Sequence, residues 1–272
     1  MGARVAYLVV GLSVAACLGA LFGCAGGNFN SGQRAPWRGK VEEACLTGGA
    51  VHASTYVTPM ETIDGPGVCG LECPLRVSGL ADGRVTVTPP ATIGCPLTAA
   101  LDRWIKTSVQ PAAYRYFGSR VIEIGQIASY GCRGRNGNNW GRISEHAFGN
   151  ALDIAAFRLA NGQIITVANA WWRGTPREQA FLAATFTGAC QEFYTVLGPG
   201  SDRFHYNHIH VDLLLTNAEH GSHYCRPILR RGVPMAQAAG DPKTASVTPL
   251  PFTGLGPTSR KDPDCCSYAT SM

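Results

Sequence analysis

A chain of 272 residues has room for one good-sized domain with tails. Its 45% hydrophobic content is ordinary for a globular protein, while 33 glycines and 17 prolines point to turns and loops and exclude a plain helical bundle. The net charge of +5 is mild, and no Lys/Arg run marks a basic surface, so no nucleic-acid partner is expected.

The N-terminus reads as an export signal over residues 1–24. Arg4 supplies a positive start, and Val5 to Leu21 is apolar but short for a membrane span. Leu21-Phe-Gly-Cys24 resembles a bacterial lipobox, in which Cys24 is lipidated after cleavage, although Phe22 is unusual in that slot. The alternative is an ordinary signal peptide cut near Ala25. Either route takes the chain out of the cytoplasm, and the expected location is the periplasm, as a membrane-anchored lipoprotein. Cysteine usage agrees: Cys17 and Cys24 fall in the leader and leave nine of the eleven, which in an oxidising compartment read as disulfides. Spacing does not reveal connectivity; Cys132 with Cys190 is the expected pair. Cys69 and Cys73 lack a second pair that would complete a zinc ribbon, and Cys265-Cys266 sits in a polar tail.

Residues 25–60 are Gly-, Ser- and Thr-rich and read as a linker, so the compact domain is expected over 61–230. Leu75 to Leu80 and Arg84 to Thr88 flank Asp82-Gly83, a hairpin turn. Leu97, Leu101, Trp104, Ile105 and Ser108 follow helical spacing after Pro96, and Pro111 is expected to stop the helix. Arg120 to Ile127 alternates as a strand and leads into Ser129-Tyr-Gly-Cys-Arg133; residues 134–142 form a loop by composition. Leu152 to Leu159 and Gln163 to Val167 flank Asn161-Gly162, a second hairpin. Thr175-Pro176-Arg177-Glu178 has the form of a capping box with proline at the first helical position. The helix that follows shows its face at Phe181, Ala184, Thr185, Gly188, Ala189 and Phe193, and Gly198-Pro199-Gly200 ends it. Ile209 to Leu215 reads as a strand. Residues 231–272 turn Pro-, Ala-, Ser- and Thr-rich and are expected to be a disordered tail. Strands mixed with a few helices imply an α+β fold rather than a regular βαβ array.

Two segments concentrate the chemistry: Ser144-Glu-His-Ala-Phe-Gly-Asn-Ala-Leu-Asp153 and His205-Tyr-Asn-His-Ile-His210. Three of the seven histidines fall within the second. Nitrogen and carboxylate ligands of this kind suit Zn2+. On a helix, His146 and Asp153 would stand about 10.5 Å apart along the axis, too far for one ion whose bonds are about 2.0–2.2 Å. A glycine turn instead brings a loop His146 back beside Asp153 at the head of a strand. His208 and His210 have the period of a strand, so both share one face while Ile209 points to the other. One of the two would ligate the metal while the other reaches the bound water or the substrate. Three protein ligands with an open position make a catalytic zinc arrangement, and a nearby imidazole suits proton transfer. Each piece alone has a plainer reading: alternating polar residues on a strand are common, Asp153 could cap a turn, and Arg133 could be a surface charge beside Arg135 and Arg142. His220 and His223 read as loop residues, and Trp171-Trp172 as core packing rather than a sugar platform.

The pattern Ser144-x-His146-x-x-Gly149-x-Ala151-x-Asp153 followed by His208-x-His210 is similar to the signature of zinc D-Ala-D-Ala carboxypeptidases, lysostaphin-type enzymes and penicillin-insensitive murein endopeptidases. His205-x-x-His208-x-His210 looks most like the endopeptidase branch. With Ser129-Tyr-Gly-Cys-Arg133 and Leu197-Gly-Pro-Gly200, the blocks resemble the bacterial extensin-like C-terminal domain family over about residues 69–226. That resemblance implies a small antiparallel β-sheet flanked by helices. It implies zinc ligands His146, Asp153 and His210, with His208 as general base or transition-state donor and His205 assisting. Arg133 would hold the substrate or the oxyanion. Carboxypeptidases of this group carry a Glu three residues before the last ligand; here Asn207 stands there, which favours endopeptidase over carboxypeptidase activity. The expected partners are peptidoglycan peptide stems or cross-links and the membrane through Cys24, with an activator protein left open. The competing readings are a wall-binding module that kept the pocket without turnover, and a disulfide-stapled structural lipoprotein without metal.

Overall fold

The structure is a computed structural model that describes residues 34–138, 141–214 and 223–226. The leader with Cys24, His220, the tail and Cys265-Cys266 lie outside the described residues. No helix among the described residues is long and apolar enough to cross a membrane.

The chain begins with α1 (Trp37–Thr47), then three short strands, β1 (Val57–Pro59), β2 (Ile63–Asp64) and β3 (Gly70–Leu71). Residues assigned by composition to a linker therefore include a helix and a sheet strand. The polar composition concealed that Cys45 of α1 is buried and bonded to Cys95. The first hairpin forms as its turn residues require: β4 (Leu75–Leu80) and β5 (Val85–Ile93) are joined through Ala81, Asp82 and Gly83, all at positive φ. β5 runs through Pro89 and Pro90 because neither neighbour pairs with them: the β6 ladder ends at Thr88, and the β4 register shifts between Thr86 and Ala91.

α2 (Cys95–Trp104), a π turn over Ile105–Val109 and α3 (Gln110–Phe117) make one helical crossover to β6 (Val121–Ala128). The expected stop at Pro111 does not occur. The π turn shifts the hydrogen-bond register, so Pro111 lands in the first turn of α3, where a missing N–H is tolerated. This crossover makes β5 and β6 parallel.

The second hairpin is β7 (Ala151–Leu159) with β8 (Ile164–Thr166), turning at Gly162 with φ +89. After α4 (Val167–Arg173), α5 (Pro176–Glu192) opens with the capping box: Thr175 Oγ accepts from Glu178 N, and Glu178 accepts from Thr175 N at 2.7 Å. β9 (Thr195–Leu197), β10 (Ile209–Asp212) and β11 (Tyr224–Arg226) complete the fold.

The result is α+β, with a sheet larger than expected and mixed. Its order is β1-β4-β5-β6-β7-β10-β9-β11, with β8 on β7, and β11 runs parallel to β9. β9 and β11 carried no alternating pattern long enough to read. One face is covered by α2, α3, α4 and α5. Trp104 of α2 donates through Nε1 to Thr185 O of α5 at 2.9 Å and packs its ring on Phe157 and Phe193. Gly188 lets α5 approach the π turn, because a Cβ there would collide with Ser108. Trp171 is buried against Phe186, which makes it core.

Disulfides join Cys45 to Cys95, Cys69 to Cys132 and Cys190 to Cys225. The expected Cys132–Cys190 pair is not made. Cys190 lies on α5, in the helical layer, whereas the Cys132 loop lies on the opposite side of the sheet, where Gly131 N bonds His146 O.

Candidate metal centre

Strand alternation builds the site. β10 and β7 are antiparallel, and His210 sits directly across from Asp153, flanked by the pairs Ile209↔Ile154 and Val211↔Leu152. Those four apolar side chains are fully buried in the core beneath the helices. The two-residue period therefore sends Asp153 and His210 to the other face. His146 arrives from a short 3-10 turn, Glu145–Phe148, capped by Ser144 Oγ, which accepts from His146 N at 3.4 Å. Gly149 closes the turn in the left-handed region at φ +60 and feeds the chain into β7.

The three side chains meet. His146 Nε2 lies 3.2 Å from Asp153 Oδ1 and 3.2 Å from His210 Nδ1, and His210 Nδ1 lies 2.8 Å from Asp153 Oδ1. Each imidazole is held from behind. Ser129 O, which can only accept, takes the His146 Nδ1 proton at 2.7 Å and so aims Nε2 at the cluster. Asp212 Oδ2 accepts from His210 Nε2 at 3.0 Å. Outer partners of this kind fix tautomer and ring orientation at metal sites.

The remaining candidates border this group. His208, just before β10, turns Nε2 towards Asp153 Oδ1 at 3.5 Å while its Nδ1 donates to Asn207 Oδ1 at 2.9 Å. His205 packs its ring on His208 and His210 at 5.1 and 5.6 Å between centroids. Asp202 Oδ1 holds it in place, accepting from His205 Nδ1 at 2.8 Å and from the N–H groups of Phe204 and His205. Arg133 reaches Asp153 Oδ2 at 3.5 Å and remains 41% exposed, at the rim. All six residues singled out from sequence thus gather in one place. His223 lies apart, exposed, with Nδ1 donating to Cys190 O.

Sequence reasoning missed the supports. Asp212 was legible in principle, since it stands two residues after His210 on the same strand face. Asp202 had the weaker signal of an Asp three residues before a histidine in a loop. The Ser129 carbonyl carries no side-chain signal.

The electrostatics follow from this packing. Burial alone would raise the Asp153 pKa, but hydrogen bonds and charge from His146 and His210 hold its carboxyl well below the usual range. Burial alone would lower His210, yet its hydrogen bonds to Asp153 and Asp212 and their charges lift it to about 10. His208 falls to about 4: burial dominates, the attraction of Asp153 opposes it, and the neighbouring imidazoles add to the fall. Burial also lowers His205, against the pull of Asp202.

The donor set fits a divalent cation. Ring nitrogens of His146, His208 and His210 converge on one carboxylate oxygen of Asp153, and positive charge satisfies such a meeting, whether protons on the imidazoles or a metal ion. One ligand atom each from His146, Asp153 and His210 lies within 4.8 Å of the others, and all three residues are buried. Tetrahedral bonds of about 2.0–2.2 Å call for donor separations of about 3.3–3.6 Å, a small expansion of the spacing present.

No curated protein and no solved structure matches the chain. A family model described as "Extensin-like protein C-terminus" matches residues 43–226, from the last turns of α1 through β11 and across every residue of the site, and the chain belongs to that family.

Proposed function

We propose that this protein is an exported zinc-dependent hydrolase that cuts amide bonds in peptidoglycan peptides, in the manner of the murein endopeptidases its motifs resemble. The observation that carries this reading is the convergence of His146 Nε2, Asp153 Oδ1 and His210 Nδ1 within 2.8–3.2 Å, with each imidazole backed by an acceptor. Zinc bound there would supply a Lewis acid and a water whose pKa falls to about 7.

The chain's own side chains would do the rest. His208 is neutral at physiological pH, with its proton on Nδ1 fixed by Asn207, so Nε2 is free to take a proton and return it to the leaving amine. His205, pinned by Asp202, packs against His208 and limits its ring motion. Arg133, at the rim, would hold a substrate carboxylate or stabilise the developing oxyanion. Lipidation at Cys24 would keep the enzyme beside the wall.

Zinc analysis of the purified protein combined with muropeptide digestion tests this. Stoichiometric zinc and new peptide products, both lost in His146→Ala, are expected. Bound metal without cleavage would favour a wall-binding module, and absence of metal uptake would leave a structural lipoprotein.

A further inference from the structure

α1 reaches the metal turn through one residue. Arg38 Nη2 and Nη1 donate to Glu145 Oε1 and Oε2 at 2.6 and 2.7 Å, a bidentate pair with side chains only 10% and 3% exposed. Glu145 immediately precedes His146 in the 3-10 turn. Its Oε2 also accepts from Asn150 Nδ2 at 2.7 Å, tying the start of the turn to the residue that enters β7. The Arg38 guanidinium lies over the Phe148 ring at 3.8 Å, with Trp37 on it at 4.3 Å. Arg38 therefore grips the turn on both sides of His146, through Glu145 and Phe148. α1 is in turn anchored to α2 by Cys45–Cys95.

We infer that Arg38 and Glu145 are positioning residues that aim His146 into the metal centre, so that the N-terminal helix is a working part of the site. This rests on the zinc reading above for its main readout. Ring orientation at a metal site is set by outer supports of this kind. The bond that His146 Nδ1 donates to Ser129 O orients the ring, whereas Arg38 fixes the backbone that carries it.

Arg38→Lys keeps the charge but loses the planar fork and the stacking; Glu145→Gln keeps the shape but loses the charge. In the whole chain, each is expected to weaken Zn2+ binding about 10–100-fold and to alter the visible spectrum of the Co2+-loaded protein, with near-UV circular dichroism of the metal-free protein unchanged. Wild-type zinc affinity in both variants would overturn the inference. So would global unfolding of Arg38→Lys, since the pair would then hold the fold rather than the turn. If the wild type takes up no metal, the proposed function fails, but imidazole 15N NMR of metal-free protein still decides: one ordered His146 tautomer in the wild type and exchange broadening in Arg38→Lys are expected, and identical spectra would refute the clamp.

Discussion

Replacing Gly149 with alanine tests whether the turn geometry delivers His146. Gly149 and Gly118 have the same φ of +60, one closing the turn that carries His146 and the other capping α3. A Cβ at Gly118 would meet nothing within 4 Å, but at Gly149 it would collide with Leu71 Cδ2 and lie 3.3 Å from Gly94 N, whose N–H bonds Gly149 O at 2.9 Å. A left-handed alanine costs about 1–2 kcal/mol, and the stiffer unfolded chain offsets about 0.4–1 kcal/mol of that; both terms apply equally at the two positions. Only Gly149 adds overpacking against the buried Leu71, about 1–3 kcal/mol. Gly118→Ala is therefore expected to lose about 1 kcal/mol and Gly149→Ala about 2–4 kcal/mol in urea unfolding of the metal-free protein. Zinc affinity should fall in Gly149→Ala alone. Equal stability losses would refute the steric argument, and destabilisation with unaltered metal uptake would refute the claim that this turn aims His146.

Two further outcomes follow from single side chains. Burial, opposed by Arg34 and reinforced by Glu72, raises Glu42 from 4.5 to about 7, and its buried Oε1 has no hydrogen-bond partner. The folded state then holds this proton where the unfolded chain has released it, so stability should decline from pH 4.5 to 7 by up to about 3 kcal/mol, at about 1.36 kcal/mol per pKa unit. Glu42→Gln should remove that slope in pH-dependent urea unfolding, and an unchanged slope would contradict the assignment. His208→Ala should cut muropeptide release about 10²–10⁴-fold with zinc content retained; near-normal turnover, measured by chromatography of the products, would remove His208 from proton transfer.

Much of the site was legible because its signals are local. The alternation of Leu152-Asp153-Ile154 and of Ile209-His210-Val211 separates a core face from a chemical face without knowledge of the partner strand. Gly149 announced a reversal between His146 and Asp153, and Thr175-Pro176-Arg177-Glu178 announced α5 through hydrogen bonds spanning three residues. Other readings missed because a local signal was outweighed. Pro111 did not end its helix once a π turn had shifted the register, and the polar composition around α1 hid the buried face that Cys45 anchors.

From its own residues the chain determines which side chains can carry chemistry and which way they face, since periodicity and turn preference act over a few neighbouring positions. Only the tertiary structure decided that His210 stands opposite Asp153, that Cys132 bonds Cys69, that β5 and β6 run parallel, and that Arg38 grips Glu145 across 107 residues. Those outcomes depend on strand order and on how α1 and the helical layer pack against the sheet, and no short stretch of sequence holds the free energy of a contact made between distant ones.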